Sequence, residues 1–139
     1  MAHTSTHNYL HIVFGTKERA SRIPETLQPR LWSYVAGICR NQKMIAFAIG
    51  GMDDHVHLLV RLPPVIALAK AVSVVKANSS SWMKEQAMGF SWQGGYGAFS
   101  ASNLAAVEQY IRNQKIHHRR MTFHQEYRIL LKRHGEEIG

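Results

Sequence analysis

The chain has 139 residues, 45% hydrophobic and 19% charged, which excludes a disordered or fibrous protein and suffices for one domain with a buried core. Seventeen Lys and Arg residues against nine Asp and Glu give a formal net charge of +8, which favours a polyanion, above all nucleic acid, as a partner. Cys39 is the single cysteine, which excludes an internal disulfide bond and a cysteine-rich zinc module.

The hydrophobic pattern changes between period two and period 3.6 along the chain, which predicts strands alternating with helices. The predicted elements are a strand at 7–16, a helix at 24–41, a hairpin of strands at 43–50 and 55–61, a helix at 65–86, a strand at 95–101, a helix from 103 to about 118 and a helix at 122–134. The first six follow the order of the ferredoxin-like split βαβ fold, βαββαβ, an antiparallel sheet with two helices on one face. We therefore predict an α+β fold with additional C-terminal helices, in one domain spanning 1–139.

Alternation within the strands assigns side chains to the two faces of the sheet. In the second strand, Ile45, Phe47 and Ile49 are predicted to share one face. The final helix is predicted to begin with a capping box over 122–125.

The first candidate site is the sequence His55-Val56-His57 in the third strand. Because Val56 is expected to point toward the helix-covered core, His55 and His57 share the opposite face, where two imidazoles can reach one divalent ion. The alternative is a pair of half-exposed histidines on an open sheet face. In a chain with nine histidines, the H-x-H pattern alone favours that alternative.

The second candidate site is the pair Tyr110 and Gln114, which lie one helical turn apart and so share a helix face. A tyrosine oxygen can act as a covalent nucleophile, although its pKa near ~10 requires activation or a strongly polarised electrophile. The amide oxygen of Gln114 could complete a metal site with two histidines. The alternative, which the spacing alone favours, is a packed tyrosine and a solvated glutamine.

The third feature is a run of positive charge between Arg112 and His134. It contains seven Lys and Arg residues and four histidines, against one acidic residue, Glu126. Like charges at this density repel one another unless a polyanion compensates them, so the run favours contact with a phosphate backbone. Among the aromatic residues, Trp82 is predicted to lie in the core, whereas Trp92 and Tyr96 fit either the core or base stacking.

Four segments together resemble the IS200/IS605 family of single-tyrosine (Y1) transposases, which belong to the HUH endonuclease class. They are GMDDHVHLLVRLPP (51–64), VVKANSSSWM (74–83), FSWQGGYGAFSAS (90–102) and VEQYIRNQKIHHRRMTFHQEY (107–127). The resemblance covers nearly the whole chain in the family's order. REP-associated tyrosine transposases are close relatives, but the short chain and the Tyr-x3-Gln spacing fit the IS200-like branch better.

The resemblance implies a transposase that cleaves and rejoins single-stranded DNA through a 5′-phosphotyrosine and recognises hairpins near the element ends. It implies that Tyr110 is the nucleophile and that His55, His57 and Gln114 bind Mg²⁺ or Mn²⁺. The residues that we expect to contact DNA are Lys76, Arg112, Lys115, His117, His118, Arg119 and Arg120.

A homodimer is also expected, because a split βαβ sheet has exposed edges and strand exchange needs two cleaved ends held together. The resemblance adds that the tyrosine helix can be donated to the partner, so that Tyr110 of one chain would serve His55 and His57 of the other. Two other classes of function stay open: a hairpin-binding module without chemistry, and a histidine-metal hydrolase that uses an activated water.

The apolar segments are far shorter than the roughly 20 residues that a membrane-spanning helix needs. Residues 1–7 also lack the apolar region of a signal peptide. We therefore expect a cytoplasmic protein that does not associate with a membrane.

Overall fold

The structure is a computed structural model that describes residues 3–135. Its elements are β1 (Asn8–Gly15), α1 (Gln28–Asn41), β2 (Ile45–Gly51), β3 (His55–Leu62), α2 (Leu68–Gln86), β4 (Gly97–Ser100), α3 (Leu104–Arg112), α4 (Gln114–His117) and α5 (Phe123–Arg133). A single 3-10 turn, Lys17–Arg19, follows β1 and was not predicted. Residues 1–2 and 136–139, the two ends of the predicted domain, lie outside the described residues.

The four strands form one antiparallel sheet in the order β2-β3-β1-β4. In the central pair, Ile12 of β1 is opposite Leu58 of β3, and Val13 is opposite His57. The first six elements follow the predicted order, and the α+β fold is confirmed. In residues 3–135 no helix combines the length and apolarity needed to cross a bilayer.

The main core lies between one face of the sheet and helices α1 and α2. Alternate residues of β1 and β3, such as Ile12 and Leu58, pack there against α1 and α2 residues such as Leu31 and Val75. Burying a side chain of this size stabilises the fold by about 1.5–3 kcal/mol. The alternation predicted for β3 is confirmed on this face, where Val56 is fully buried.

The opposite face of the sheet is covered by α3, α4 and α5. Leu59 of β3 packs there with Ile111 of α3, and Val13 of β1 packs with Phe123 of α5. The histidines of β3 are therefore fully buried, and the alternative of half-exposed histidines on an open face is wrong. Sequence periodicity assigned the two faces of β3 correctly but did not show that the C-terminal helices would fold back over the sheet.

The prediction that Ile45, Phe47 and Ile49 share one face of β2 is wrong. The register of β2 against β3 shifts between Ala46 and Ala48. A bulge of this kind inserts an extra residue and so interrupts the strict alternation of side chains. Phe47 consequently packs on the α3 side of the sheet, whereas Ile49 packs against the main core and Ile45 is 49% exposed.

The predicted helix from 103 to about 118 is divided at Asn113. This residue has φ −96° and ψ 18°, so it ends α3 and precedes the short α4. The final helix agrees with the prediction, including its capping box: the Thr122 side chain accepts from the Gln125 backbone N–H, and the Gln125 side chain accepts from the Thr122 N–H. This reciprocal pair fixes the first residue of α5.

Two glycines allow α5 to approach the sheet closely. A Cβ atom on Gly15 of β1 would lie 2.8 Å from the ring of Phe123, and a Cβ on Gly97 of β4 would lie 2.7 Å from the ring of Tyr127. At separations below 3.0 Å the ring must shift, so a side chain at either position would displace α5 from its present place on the sheet.

Candidate active site

The histidine pair of β3 forms the base of the site. His55 and His57 are both 0% exposed, and their ring centroids are 5.0 Å apart. His55 Nδ1 donates to Asp54 Oδ1 at 2.7 Å, and His57 Nδ1 lies 2.7 Å from His11 Nε2. A partner on Nδ1 fixes the orientation of an imidazole ring and directs Nε2 to a further ligand. Both Nε2 atoms accordingly face the C-terminal helices.

Tyr110 of α3 and Gln114 of α4 approach this pair from above the sheet. Gln114 Oε1 lies 2.8 Å from His55 Nε2, and the Tyr110 ring meets the His57 ring at 76° with 5.9 Å between centroids. Gln114 is 2% exposed, so the alternative of a solvated glutamine is wrong. The structure therefore brings together the four residues that the sequence singled out for chemistry.

Glu126 of α5 was not predicted as a site residue, yet its carboxylate lies at the centre of the site. Glu126 Oε1 is 3.1 Å from His57 Nε2, while Oε2 accepts hydrogen bonds from the Tyr110 hydroxyl and from Gln114 Nε2 at 2.8 Å. Glu126 is 1% exposed. One feature of the sequence could have identified Glu126 as a site residue: it is the one acidic residue in the basic run from 112 to 134.

His118 is a second residue whose place the sequence did not reveal. We expected it to contact DNA, but its side chain is only 7% exposed and belongs to the buried cluster. Its Nε2 lies 3.0 Å from Glu126 Oε1 and 3.1 Å from Gln114 Oε1, and its Nδ1 lies 2.9 Å from the Met121 carbonyl oxygen. The site thus contains three imidazoles around one carboxylate oxygen.

Burial and hydrogen bonding determine the charge of each group. Burial lowers the pKa of His57 to about 4, despite the nearby carboxylate, so this imidazole is neutral at pH 7. Burial also opposes ionisation of Glu126, but hydrogen bonds from His118, His57 and Tyr110 outweigh it and hold the pKa of Glu126 below its usual range. Burial and the Glu126 carboxylate raise the pKa of the Tyr110 hydroxyl. The site at pH 7 therefore holds a carboxylate beside a neutral phenol.

His55, His57 and Glu126 could hold a metal ion, since each offers a ligand atom and these atoms lie within 4.8 Å of one another. Gln114 Oε1 adds a fourth oxygen or nitrogen donor beside His55. Neutral imidazoles and oxygen donors together suit a divalent ion such as Mn²⁺, and one carboxylate supplies the negative charge that Mg²⁺ also favours. The donor set therefore fits the expected metal.

Four of the other residues expected to contact DNA are exposed on or between α3, α4 and α5, the helices that carry Tyr110, Gln114 and Glu126. Arg119 and Arg120 are exposed in the turn between α4 and α5. Arg112 pairs with Glu108 at 2.8 Å, and Lys115 pairs with Glu25 at 2.9 Å; the four side chains are 39% to 79% exposed. Such surface pairs contribute at most about 1 kcal/mol, so a phosphate can displace them.

His117 and Lys76, the other two residues expected to contact DNA, make contacts within the protein. His117 stacks on Tyr110 with 4.6 Å between ring centroids. Lys76 of α2 donates to the carbonyl oxygens of Gln93 and Gly95, and so supports the loop before β4. His117 therefore lies beside the Tyr110 ring. Lys76 lines a pocket between α2 and the loop before β4.

Of the aromatic residues left open, Trp92 belongs to the core. It is 8% exposed, and its indole N–H donates to Ser79 Oγ at 2.9 Å. Tyr96 is partly buried against the same core. Trp82 was expected in the core, and it packs at the edge of it, stacked on Tyr34 with 5.3 Å between centroids.

Comparison of the sequence with known proteins gives a family match. The model of a family described as "Transposase IS200 like" matches residues 4–114. Two curated relatives, each named "Transposase for insertion sequence element IS200", come from Salmonella typhimurium (strain LT2) and Salmonella typhi. Each is 24% identical over 123 residues, which covers 82% of this chain and 81% of the relative.

Solved structures share the fold. A putative transposase from Deinococcus radiodurans R1 superposes with a TM-score of 0.65 at 22% identity, covering 82% of this chain and 96% of that one. A REP associated tyrosine transposase bound to a REP hairpin superposes with a TM-score of 0.59 at 13% identity, covering 84% of this chain and 72% of that one. At these identities the similarity establishes the architecture.

Proposed function

The chain belongs to the IS200-like transposase family, and we propose that it cleaves and rejoins single-stranded DNA at element ends with Tyr110 as the nucleophile. The observation that carries the proposal is the position of the Tyr110 hydroxyl, which shares the Glu126 carboxylate with His57 and Gln114. A tyrosine oxygen that faces a set of metal donors is arranged for attack on a polarised phosphodiester.

The reaction requires a bond exchange at one phosphorus atom. The Tyr110 oxygen forms a bond to phosphorus, and the bond between phosphorus and the 3′ oxygen breaks. The tyrosine loses a proton and the departing 3′ oxygen gains one, so the products are a 5′-phosphotyrosine and a free 3′-OH. A second 3′-OH reverses the exchange and joins two strands, which conserves the energy of the phosphodiester bond.

His55, His57 and Gln114 are proposed to hold Mg²⁺ or Mn²⁺, with Glu126 Oε1 beside them. When bound, the ion supplies Lewis-acid polarisation of the scissile phosphate. Asp54 and His11 orient the two imidazoles through their Nδ1 atoms. Helices α3 to α5 exclude water from the donors, since His55, His57 and Gln114 are all buried.

The exposed basic residues around the site are proposed to bind the DNA backbone. The solved REP associated tyrosine transposase is bound to a REP hairpin, and by similarity we propose that this chain recognises hairpins in single-stranded DNA. Arg119 and Arg120 lie between α4 and α5, which both contribute to the site, so a strand that contacts them passes the buried cluster.

The domain is proposed to span the whole chain, because α5 lies beyond the residues matched by the family model and yet provides Glu126. A homodimer is proposed for strand exchange, with β2 and β4 as the sheet edges available for pairing. Within one chain, the Tyr110 ring already contacts His57. Donation of Tyr110 to a partner would therefore require its hydrogen bond to Glu126 to break.

The test uses single-stranded oligonucleotides that cover the DNA flanking the gene, each labelled at its 3′ end. The 5′-phosphotyrosine retains this label, so incubation with Mn²⁺ should produce a labelled protein band that resists SDS. Tyr110→Phe, which removes one oxygen atom, should abolish the band and leave hairpin binding within about twofold. A band of equal intensity from the Phe variant would contradict the proposal.

A further inference from the structure

The position of Glu126 is fixed by several independent contacts of α5. The capping box sets the first residue of the helix, and the Phe123 ring stacks on His55 at 4.3 Å with an angle of 6°. Residues three apart in a helix lie on one face, so anchoring Phe123 also directs Glu126 toward the sheet. The carboxylate therefore enters the site as part of a packed helix.

The two oxygen atoms of Glu126 face different partners. Oε1 is within 3.4 Å of the Nε2 atoms of His55, His57 and His118. Oε2 accepts from the Tyr110 hydroxyl and from the Gln114 amide. One side chain thus links the nucleophile to the proposed metal donors, and its buried charge is satisfied by hydrogen bonds from every side.

Other contacts of Tyr110 hold its ring and leave its hydroxyl direction open. His117 stacks on the ring, while His11 and His57 meet it edge-on. Ring packing fixes the plane of a phenol, but the O–H bond can still rotate about the C–O bond. The hydrogen bond to Glu126 selects one direction, and the lone pairs of the oxygen are then turned away from Oε2.

We propose that Glu126 is a further catalytic residue of the cleavage reaction, which holds the Tyr110 hydroxyl in the orientation for attack beside the histidine pair. This inference rests on the proposed function, in which Tyr110 is the nucleophile. It assigns Oε2 a role that is separate from metal binding, for which Oε1 is the candidate donor.

The experiment compares single-turnover cleavage of the same 3′-labelled oligonucleotides at saturating Mn²⁺. Glu126→Gln keeps the size of the side chain but leaves one acceptor oxygen for donors that face both carboxylate oxygens. Glu126→Asp keeps the charge but withdraws the carboxylate by one methylene. Each should lower the cleavage rate by about 100-fold, because a misplaced nucleophile costs that much, with the hairpin Kd within about twofold. Glu85→Gln, an exposed residue of α2, makes the same change in net charge and should cleave at the wild-type rate.

Titration with Mn²⁺ separates the two roles of the carboxylate. A residue that serves only as a metal ligand would be bypassed by excess metal, so recovery of the wild-type rate at high Mn²⁺ in either variant would overturn the inference. If Glu126 acts by orienting the Tyr110 hydroxyl, the lowered cleavage rate should persist at every Mn²⁺ concentration.

A ¹⁹F NMR measurement on the protein without metal or DNA tests the contact between Glu126 and Tyr110 directly. The protein is labelled with 3-fluorotyrosine, and the ¹⁹F resonance of Tyr110 is assigned by its loss in Tyr110→Phe. In Glu126→Gln this resonance should move, whereas that of Tyr34, which stacks on Trp82 away from the site, should not. An unmoved Tyr110 resonance would overturn the inference.

The outcomes also separate this inference from the proposed function. If the wild type forms an adduct on Tyr110 and both Glu126 variants form it equally fast, the assignment of Glu126 fails and the proposed function stands. If the wild type forms no tyrosine adduct on any flanking oligonucleotide, both fail.

Discussion

Glu126 Oε1 lies 3.1 Å from His57 Nε2, although the two residues are 69 positions apart in the chain. The contact joins β3 to the helix that follows the family-matched segment. The carboxylate beside the histidine pair therefore comes from α5, which lies outside the residues matched by the family model.

Replacement of either histidine of the pair should remove metal binding and cleavage together. His55→Ala and His57→Ala each delete an Nε2 donor. Mn²⁺ affinity should fall by at least about tenfold, because losing even a residue that only orients a ligand costs roughly 10- to 100-fold. Hairpin binding should persist, because the basic residues stay on the surface. Mn²⁺ binding is measured by electron paramagnetic resonance.

The control for this pair is His3→Ala, since His3 is an exposed histidine remote from the site in sequence. EDTA should abolish cleavage by the wild type, and added Mn²⁺ should restore it. Undiminished cleavage in EDTA would remove the metal from the mechanism.

Hairpin affinity should fall steeply with salt concentration. Each contacted phosphate contributes a slope of about −0.7 to −0.9 to log K against log[salt], through the release of counterions. Arg119→Ala combined with Arg120→Ala should make the slope shallower by up to about 1.8. Fluorescence anisotropy measured over a roughly sixfold range of salt concentration gives the slope.

The matched control for that change is the double variant Arg30→Ala and Lys84→Ala, which removes two exposed positive charges from α1 and α2. Its slope should equal that of the wild type. A slope that does not differ between the two double variants would mean that Arg119 and Arg120 do not touch phosphate.

Gly97→Ala should loosen α5 from the sheet. The new Cβ would lie 2.7 Å from the Tyr127 ring, and overpacking of this kind destabilises a protein by about 1–3 kcal/mol. Thermal unfolding and the rate of tryptic cleavage within α5 measure the effect. Gly94→Ala is the matched control, because a Cβ there meets nothing within 4 Å. Equal stability of the two variants would show that α5 does not depend on this close approach.

The single cysteine should be unreactive in the folded protein. Cys39 is fully buried in the main core, and burial raises the pKa of its thiol to about 12. Because the thiolate is the reactive form, no reaction with DTNB should occur at pH 8 without denaturant, and one thiol should react in guanidinium chloride. Rapid reaction of the native protein with DTNB would contradict the buried position of Cys39 in α1.

Local sequence pattern predicted which of the four residues on β3, α3 and α4 share a face, and the family resemblance assigned them to one site. His55 and His57 share a face because strand side chains alternate, and Tyr110 and Gln114 share a face because they are one helical turn apart. Gln114 stays on the same face as Tyr110 although α3 ends at Arg112, because α4 begins at Gln114 after the single residue Asn113.

Residues that meet through tertiary packing could not be predicted in the same way. Glu126 reaches the site because α5 folds back onto the sheet, an approach that depends on Gly15, Gly97 and the capping box. His118 follows Gln114 by about one helical turn, and it joins the site because the end of α4 packs against α5. No periodicity in one segment encodes a distance to another segment. The bulge in β2 was missed for a related reason, since it is defined by pairing with β3.

Identifying the amino acid that carries DNA tests the assignment of Tyr110 as the nucleophile. The wild-type protein is incubated with Mn²⁺ and the flanking single-stranded oligonucleotides, the DNA is trimmed by nuclease, and tryptic peptides are sequenced by mass spectrometry. The expected product is a nucleotide joined through its 5′ phosphate to Tyr110. Attachment to Tyr96 or Tyr127, or cleaved DNA with no nucleotide on any tyrosine, would contradict it.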